Sequence, residues 1–387
     1  MTNGFFIGGA HGGAHGGAHG GAHGGAHGGA HGGAHGGAHG GAHGLDHAGG
    51  PSSSLLSQAL IVSHDGTVGY WNGETQQAVD LRHDFNDLEY LSPDRRVQIL
   101  MGELLAQFRV GAKISGAQVF VNNVMVAALS RPADSTFQTQ LKTVRNHADL
   151  RLDRQAEITV QQVDIMSFFG ALGHMNSARR KYTIELLHLT QNLASMVVHQ
   201  VKHLCRAPRP VDFDSRVQPS IQTPDHSTFP SGHAAEAYAV AYVLKWLLAA
   251  ADAEMSAVDR LALRIATNRV VAGVHFPVDN AAGAMLGHQI GMGLVALATK
   301  GDLTQFAYET GTVANGRVNL DPSEDFTHAW FQQEILQTGG KSTGKSASGS
   351  GRFEHFFAQA LREWEKPEPT AASGPITKNG KKTAGRS

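Results

Sequence analysis

The sequence predicts a helical fold class, and two observations carry that expectation. From Asp149 onward apolar residues recur at helical spacing, as in Tyr182, Leu186, Leu189, Leu193, Met196, Val197, Val201 and Leu204. Proline and glycine then punctuate these patterns where helices should start and stop, at Pro208, Pro210, Gly273 and Pro277. With 387 residues, 41% of them hydrophobic, the chain can bury a sizeable core around such helices.

The elements follow in order. Residues 8–50 hold nine turns of Gly-Gly-Ala-His, with a histidine at every fourth position from His11 to His43. Glycine at half the positions makes ordering costly in entropy, so residues 1–50 are expected to be a disordered tail. Such a tract can bind Zn, Ni or Cu loosely, or be a linker with no role. Residues 59–71 read as short strands around His64-Asp65-Gly66. Ser92-Pro93-Asp94 opens a helix running to about Phe108, and residues 114–130 fit either strand or helix. A helix over 180–206 must stop near Pro208. The next, 233–251, is apolar nearly all round, as expected of a central helix. Helices over 256–271 and 277–299 follow, the first opened by Ser256 with Asp259 three residues on. Residues 51–338 are thus expected to form one helical domain. Residues 339–387 are expected to hold a Gly/Ser linker (339–351), a short amphipathic helix (353–364) and a disordered tail.

Composition narrows the function classes. A formal net charge of −1 argues against a global field for nucleic acid or a membrane surface. The single cysteine, Cys205, rules out an intrachain disulfide and reads as inert packing. The first residues lack the basic and long apolar regions of a signal peptide. The longest weakly polar run, 281–299, contains His288 and Gln289 and reads as a buried helix, not a membrane span. A soluble, cytoplasmic protein is the expectation, with oligomerisation left open.

Three short blocks carry chemistry. Lys202 precedes the proline-forced helix end and Arg209 follows it, so an ammonium and a guanidinium can enter one cleft. Alone, two such cations can equally cap a helix dipole. Pro230-Ser231-Gly232-His233 feeds directly into a helix, whose N-terminus offers free N–H groups to an anion. There His233 suits general acid work, or the block is an ordinary serine cap. Asn268-Arg269 closes a helix, and His275 lies in the connection before Pro277. Asp279 can accept Nδ1–H from His275 and leave Nε2 as a nucleophile, though a lone His–Asp pair is often structural. Together, three cations, an anion nest, one oriented nucleophile and one acid suit in-line displacement at a phosphoryl-like centre. None of the blocks supplies the carboxylate cluster of a magnesium site, so metal-independent chemistry is expected.

The runs K-x6-R-P (202–210), P-S-G-H (230–233) and R-x5-H-x3-D (269–279) resemble the signature of the type 2 phosphatidic acid phosphatase and vanadium-dependent haloperoxidase superfamily. The resemblance covers roughly residues 150–300. It implies an all-α core of helical-bundle type. It also implies Lys202, Arg209, Ser231, Gly232 and Arg269 as oxyanion ligands and His233 as acid/base. By the same resemblance His275 is the nucleophile or the axial vanadate ligand, and Asp279 its orienter. One position departs: Asn268 stands where the family usually has serine.

The resemblance leaves two chemistries open. One is a phosphatase, without cofactor, that hydrolyses small phosphate monoesters through a phosphohistidine. The other is a haloperoxidase that uses vanadate, peroxide and halide; residues 218–229 look like that branch's soluble bacterial relatives. A non-catalytic oxyanion- or metal-binding protein is the alternative of a different class.

Overall fold

The structure is a computed structural model; it describes residues 54–68, 70–74, 84–173, 175–249, 256–309, 317–349 and 351–365. The Gly-Gly-Ala-His tract and the tail 366–387, both expected to be disordered, lie outside the described residues.

The helices are α1 (Ser54–Thr67), α2 (Pro93–Gln107), α3 (Asp134–His147), α4 (Arg151–Gln161), α5 (Met166–Gly173), α6 (Lys181–Cys205), α7 (Pro210–Phe213), α8 (Gly232–Ala249), α9 (Ser256–Val271), α10 (Pro277–Thr299), α11 (His328–Phe331) and α12 (Gly351–Arg362). The core is built on α8, which packs most extensively against α10 and also against α6 and α9. Its unbroken apolar surface is explained by these neighbours on several sides. The approach of α8 to α10 is close because Gly283, Gly287 and Gly291 recur every fourth residue on α10. A Cβ at Gly283 would sit 2.5 Å from the Ser231 carbonyl oxygen, and one at Gly287 2.2 Å from that of Ala235. By length and composition α10 could cross a membrane, but 89% of its most apolar window is buried inside the protein.

The expectation of an all-α fold is corrected: the fold is mixed α/β. Among the described residues six strands form a sheet, β1 (Phe108–Lys113), β2 (Gly116–Val121), β3 (Val124–Ser130), β4 (Asp302–Tyr308), β5 (Arg317–Val318) and β6 (Lys341–Ser346). β1, β2 and β3 run antiparallel; β3 pairs parallel with β4, β4 parallel with β5, and β6 antiparallel with β4. The β2–β3 turn places Asn122 and Asn123 at φ 47° and 63°, the left-handed pair of a tight hairpin turn. That resolves residues 114–130 as strand. The β3–β4 pairing joins chain segments separated by the whole helical core, so no local pattern announces it.

Two further expectations change. Residues 59–71, read as strands, lie largely in α1, which has no buried residue. The supposed linker 339–351 contains β6. Beyond it, α12 seats Phe353, Phe356 and Phe357 in the core.

Candidate active site

The first cationic block is shaped by the end of α6. Arg206 adopts a left-handed conformation (φ 47°) that stops the helix, and the Pro208 and Pro210 segment carries Arg209 back towards the core. Lys202, in the last turn, is buried; its Nζ donates to the carbonyls of Ser227 (2.7 Å) and Thr228 (3.1 Å). The Arg209 guanidinium is held on three edges. Nε donates to the His226 carbonyl (3.1 Å), Nη2 to His226 Nδ1 (3.1 Å), and Nη1 to both the Val274 carbonyl (2.7 Å) and His275 Nε2 (3.2 Å).

His275 lies between α9 and α10, where Gly273 takes the positive φ (82°) that lets the chain leave the helix. Its Nδ1 is 3.1 Å from Asp279 Oδ2. The same carboxylate oxygen accepts from Phe276 N (2.8 Å) and Thr228 Oγ1 (2.6 Å). A guanidinium can only donate, so its contact with Nε2 requires a bare lone pair there. The Nδ1–H tautomer is therefore set from both sides of the ring.

The start of α8 stands against this group. Ser231 N donates to the Asp279 carbonyl (2.9 Å), and Ser231 Oγ receives a long bond from Ala234 N (3.4 Å). A Cβ at Gly232 would lie 3.7 Å from Lys202 Cε, which places the lysine stem beside the helix start. His233 faces the other way, with Nε2 2.8 Å from the Gln161 carbonyl.

A second group forms around Gln161. Arg269 Nη2 donates to the Ile158 carbonyl (3.1 Å) and, at 3.4 Å, to Gln161 Oε1. Arg269 Nε and Nη1 are buried without a hydrogen-bond partner among the described residues. Asn268, at the departing position, is not turned towards His275. It donates to Gln161 (2.9 Å) and Glu157 (3.1 Å) and accepts from Arg154 (3.1 Å). The two groups meet where Val274 N donates to the Arg269 carbonyl (3.2 Å).

Burial governs the electrostatics. Arg269 is pushed down to about 10 by burial alone, and Arg209 to about 10 by burial against the opposing pull of Asp279. Lys202 is held well below its ordinary value by burial and by Arg209. These cations lack a matched charge, a state that a bound oxyanion would relieve. Burial, then Arg209 and Lys202, drives His275 well below the ordinary histidine value and keeps the ring neutral. Burial raises Asp279 to about 6, opposed by its bonds from Phe276 and Thr228.

A cavity of about 550 Å³ opens onto the Lys202 and Arg209 edge, with His199, Asp225 and His226 in its wall. Among the described residues no group of three His, Cys, Asp or Glu side chains is placed to hold a metal ion. Three participants escaped the sequence reading. Thr228 and His226 lie just ahead of Pro230, where only proximity to the motif could have flagged them. Gln161 belongs to α4 and has no sequence signal.

Residues 186–301 match the family model described as the PAP2 superfamily, a span that takes in all three blocks. A search of curated proteins found no match.

Proposed function

From the membership of residues 186–301 in the PAP2 superfamily, we propose that the chain is a phosphatase that hydrolyses small phosphate monoesters through a phosphohistidine on His275. The observation that carries this reading is the His275 ring itself: neutral, pinned at Nδ1 by Asp279, with Nε2 against the guanidinium of Arg209. Phosphate binding exchanges the Arg209–Nε2 bond for an Arg209–phosphate bond and frees the nucleophile. The fork of Arg209, the ammonium of Lys202 and the unpaired N–H groups of Arg269 then oppose the charge on the phosphoryl oxygens.

Nε2 attacks phosphorus as the bond to the leaving oxygen breaks, and Asp279 stabilises the imidazolium that forms. His233 supplies the proton to the leaving alkoxide, which requires Nε2–H to leave the Gln161 carbonyl or the proton to come from Nδ1. Water, deprotonated by the same histidine, then cleaves the phosphorus–nitrogen bond and releases phosphate.

One observation favours a second reading, that of a vanadium haloperoxidase. The oxyanion-facing side chains are almost wholly enclosed, Lys202 1%, Arg209 3% and His275 4% exposed, which suits an oxyanion held permanently. The buried, unpartnered Arg269 N–H groups fit such an ion. Lys202, Arg209, Ser231, Gly232, Arg269 and His275 are the residues that would hold vanadate, and vanadate when bound would supply peroxide activation.

Purified protein separates the two. The phosphatase predicts hydrolysis of an aryl phosphate, inhibited by vanadate and abolished in His275→Ala. Halogenation that appears only with vanadate, peroxide and bromide together, without phosphate release, would overturn it.

A further inference from the structure

We propose that Thr228 is a positioning residue that locks the Asp279–His275 pair and so fixes the histidine tautomer, an inference that rests on His275 as the working nucleophile. Thr228 lies outside the three signature blocks and is fully buried. Its Oγ1 donates to Asp279 Oδ2 at 2.6 Å, the shortest of the three bonds that oxygen receives. The hydroxyl oxygen is also 3.1 Å from His275 Nδ1, so Nδ1–H is shared between Thr228 and Asp279. Asp279 Oδ1 is buried without a hydrogen-bond partner among the described residues. The orientation of the carboxylate therefore hangs on the bonds to Oδ2 alone.

Thr228 is itself held by the backbone. Its N–H donates to the Ala207 carbonyl (3.0 Å), and its carbonyl accepts from Lys202 Nζ (3.1 Å). One residue thus touches the lysine through its carbonyl and the nucleophile pair through its hydroxyl. A hydroxyl shared in this way is a two-point fastener: it gives one proton to the carboxylate and takes a share of another from the imidazole. Without it, Oδ2 keeps only Phe276 N and the imidazole, so the carboxylate can turn and draw the ring away from Arg209; once that contact is lost the bare nitrogen need no longer be Nε2.

The test compares Thr228→Val, which keeps the shape and removes the hydroxyl, with Thr228→Ser, which keeps the hydroxyl. Both are made in the full chain and assayed for aryl phosphate hydrolysis. In parallel, ¹⁵N-histidine NMR at neutral pH reads the tautomer of His275, its signal assigned by its absence in His275→Gln. Thr228→Val is expected to lower kcat by about 10–100-fold, the usual effect of losing a group that orients a working histidine, with a much smaller change in KM. Its His275 signal should shift from the Nδ1–H form to a mixture of tautomers. Thr228→Ser should recover both. If Thr228→Val does not fold, Thr228→Cys replaces it, with the same signs at smaller amplitude. Wild-type kcat and an unchanged tautomer in Thr228→Val would overturn the proposal, as would a folded Thr228→Ser as impaired as Thr228→Val. If the wild-type protein hydrolyses no aryl phosphate, the phosphatase reading fails and the tautomer comparison alone decides the role of Thr228.

Discussion

Arg209 spends one guanidinium on two imidazoles, donating Nη2 to His226 and Nη1 to His275. Lysine has no planar fork and could not hold both edges at once. Arg209→Lys is therefore expected to keep the charge yet lose about 10²–10³-fold in kcat/KM on an aryl phosphate, the scale of removing one oriented donor. Activity within threefold of wild type would sink that account. Three buried or half-buried histidines also tie stability to pH. His226 is pushed down to about 2 by burial and the nearby cations, His288 to about 3 mainly by burial, and His275 well below its ordinary value. In the unfolded chain each titrates near ~6.5. Below that pH the unfolded state binds more protons, so this stability is present above ~6.5 and lost as pH falls. Asp279 has the opposite sign. Raised to about 6, it contributes stability that is full below ~3.9 and lost as pH rises through about 6. Between ~4 and ~6 it offsets one of the histidines, and the others prevail. Urea midpoints should drop steadily from pH 7 to 5. His288, edge-on against Tyr242, lies more than two turns along α10 from Asp279, and His288→Leu should make the slope shallower by about 1.4 kcal/mol per pH unit. An unaltered slope in that variant would remove His288 from the explanation.

The contact between α8 and α10 would link packing to the proposed chemistry, because the residue facing Gly283 is Ser231, just ahead of the start of α8. Gly287 faces Ala235 one turn further along, away from the site. Gly287→Ala must push backbone aside and should cost about 1–3 kcal/mol, seen as a lower Tm with kcat/KM nearly unchanged. Gly283→Ala should cost a similar amount and, by displacing Ser231 and Gly232, also lower kcat/KM at least tenfold. Equal activities in the two variants at equal Tm would contradict the link. Unlike α1, whose sequence reads as strands, helices α6, α9 and α10 were legible in the sequence almost to the residue, since each has a proline, a glycine or a capping residue at a boundary and a clear helical period inside. The strands were not. β1 to β3 add up to short runs whose alternation is blurred by Ala127 and Ala128, apolar neighbours that face opposite sides of the sheet, both buried. The Asn122-Asn123 turn was the one local signal that would have decided them.

At the scale of the molecule, the sheet closes the two ends of the helical core on each other through β3 and β4, and long-range closure of that kind leaves no periodic trace. The site divides the same way. Lys202, Arg209, Ser231, Gly232, His233, Arg269, His275 and Asp279 were legible as candidates because charged and imidazole groups stand at helix ends in fixed spacing, and of these the structure links Lys202, Arg209, His275 and Asp279 through Thr228 but turns His233 and Arg269 towards Gln161. Gln161 was not, because its role comes from tertiary packing of α4 against α9. The C-terminal segment repeats the lesson. It reads as a linker and an appended helix, yet α12 and the residue just after it serve the N-terminus of α6, the helix that carries Lys202 at its other end. Glu363 accepts from Tyr182 N (3.0 Å), Thr183 N (2.9 Å) and Thr183 Oγ1 (2.7 Å), and Trp364 Nε1 donates to that hydroxyl (2.9 Å). A carboxylate there satisfies N–H groups that the helix cannot satisfy itself and complements its dipole. Glu363→Gln should therefore lower stability by about 1 kcal/mol. Cutting the chain after residue 350 removes that cap together with Phe353, Phe356 and Phe357, each buried in the core. At about 1.5–3 kcal/mol per buried apolar side chain, the loss rivals the whole stability of an ordinary domain. The truncated chain should fail to show a cooperative thermal transition, while Glu363→Gln keeps one at slightly lower Tm. A truncated chain that melts cooperatively near the wild-type temperature would show that α12 is an appendage after all.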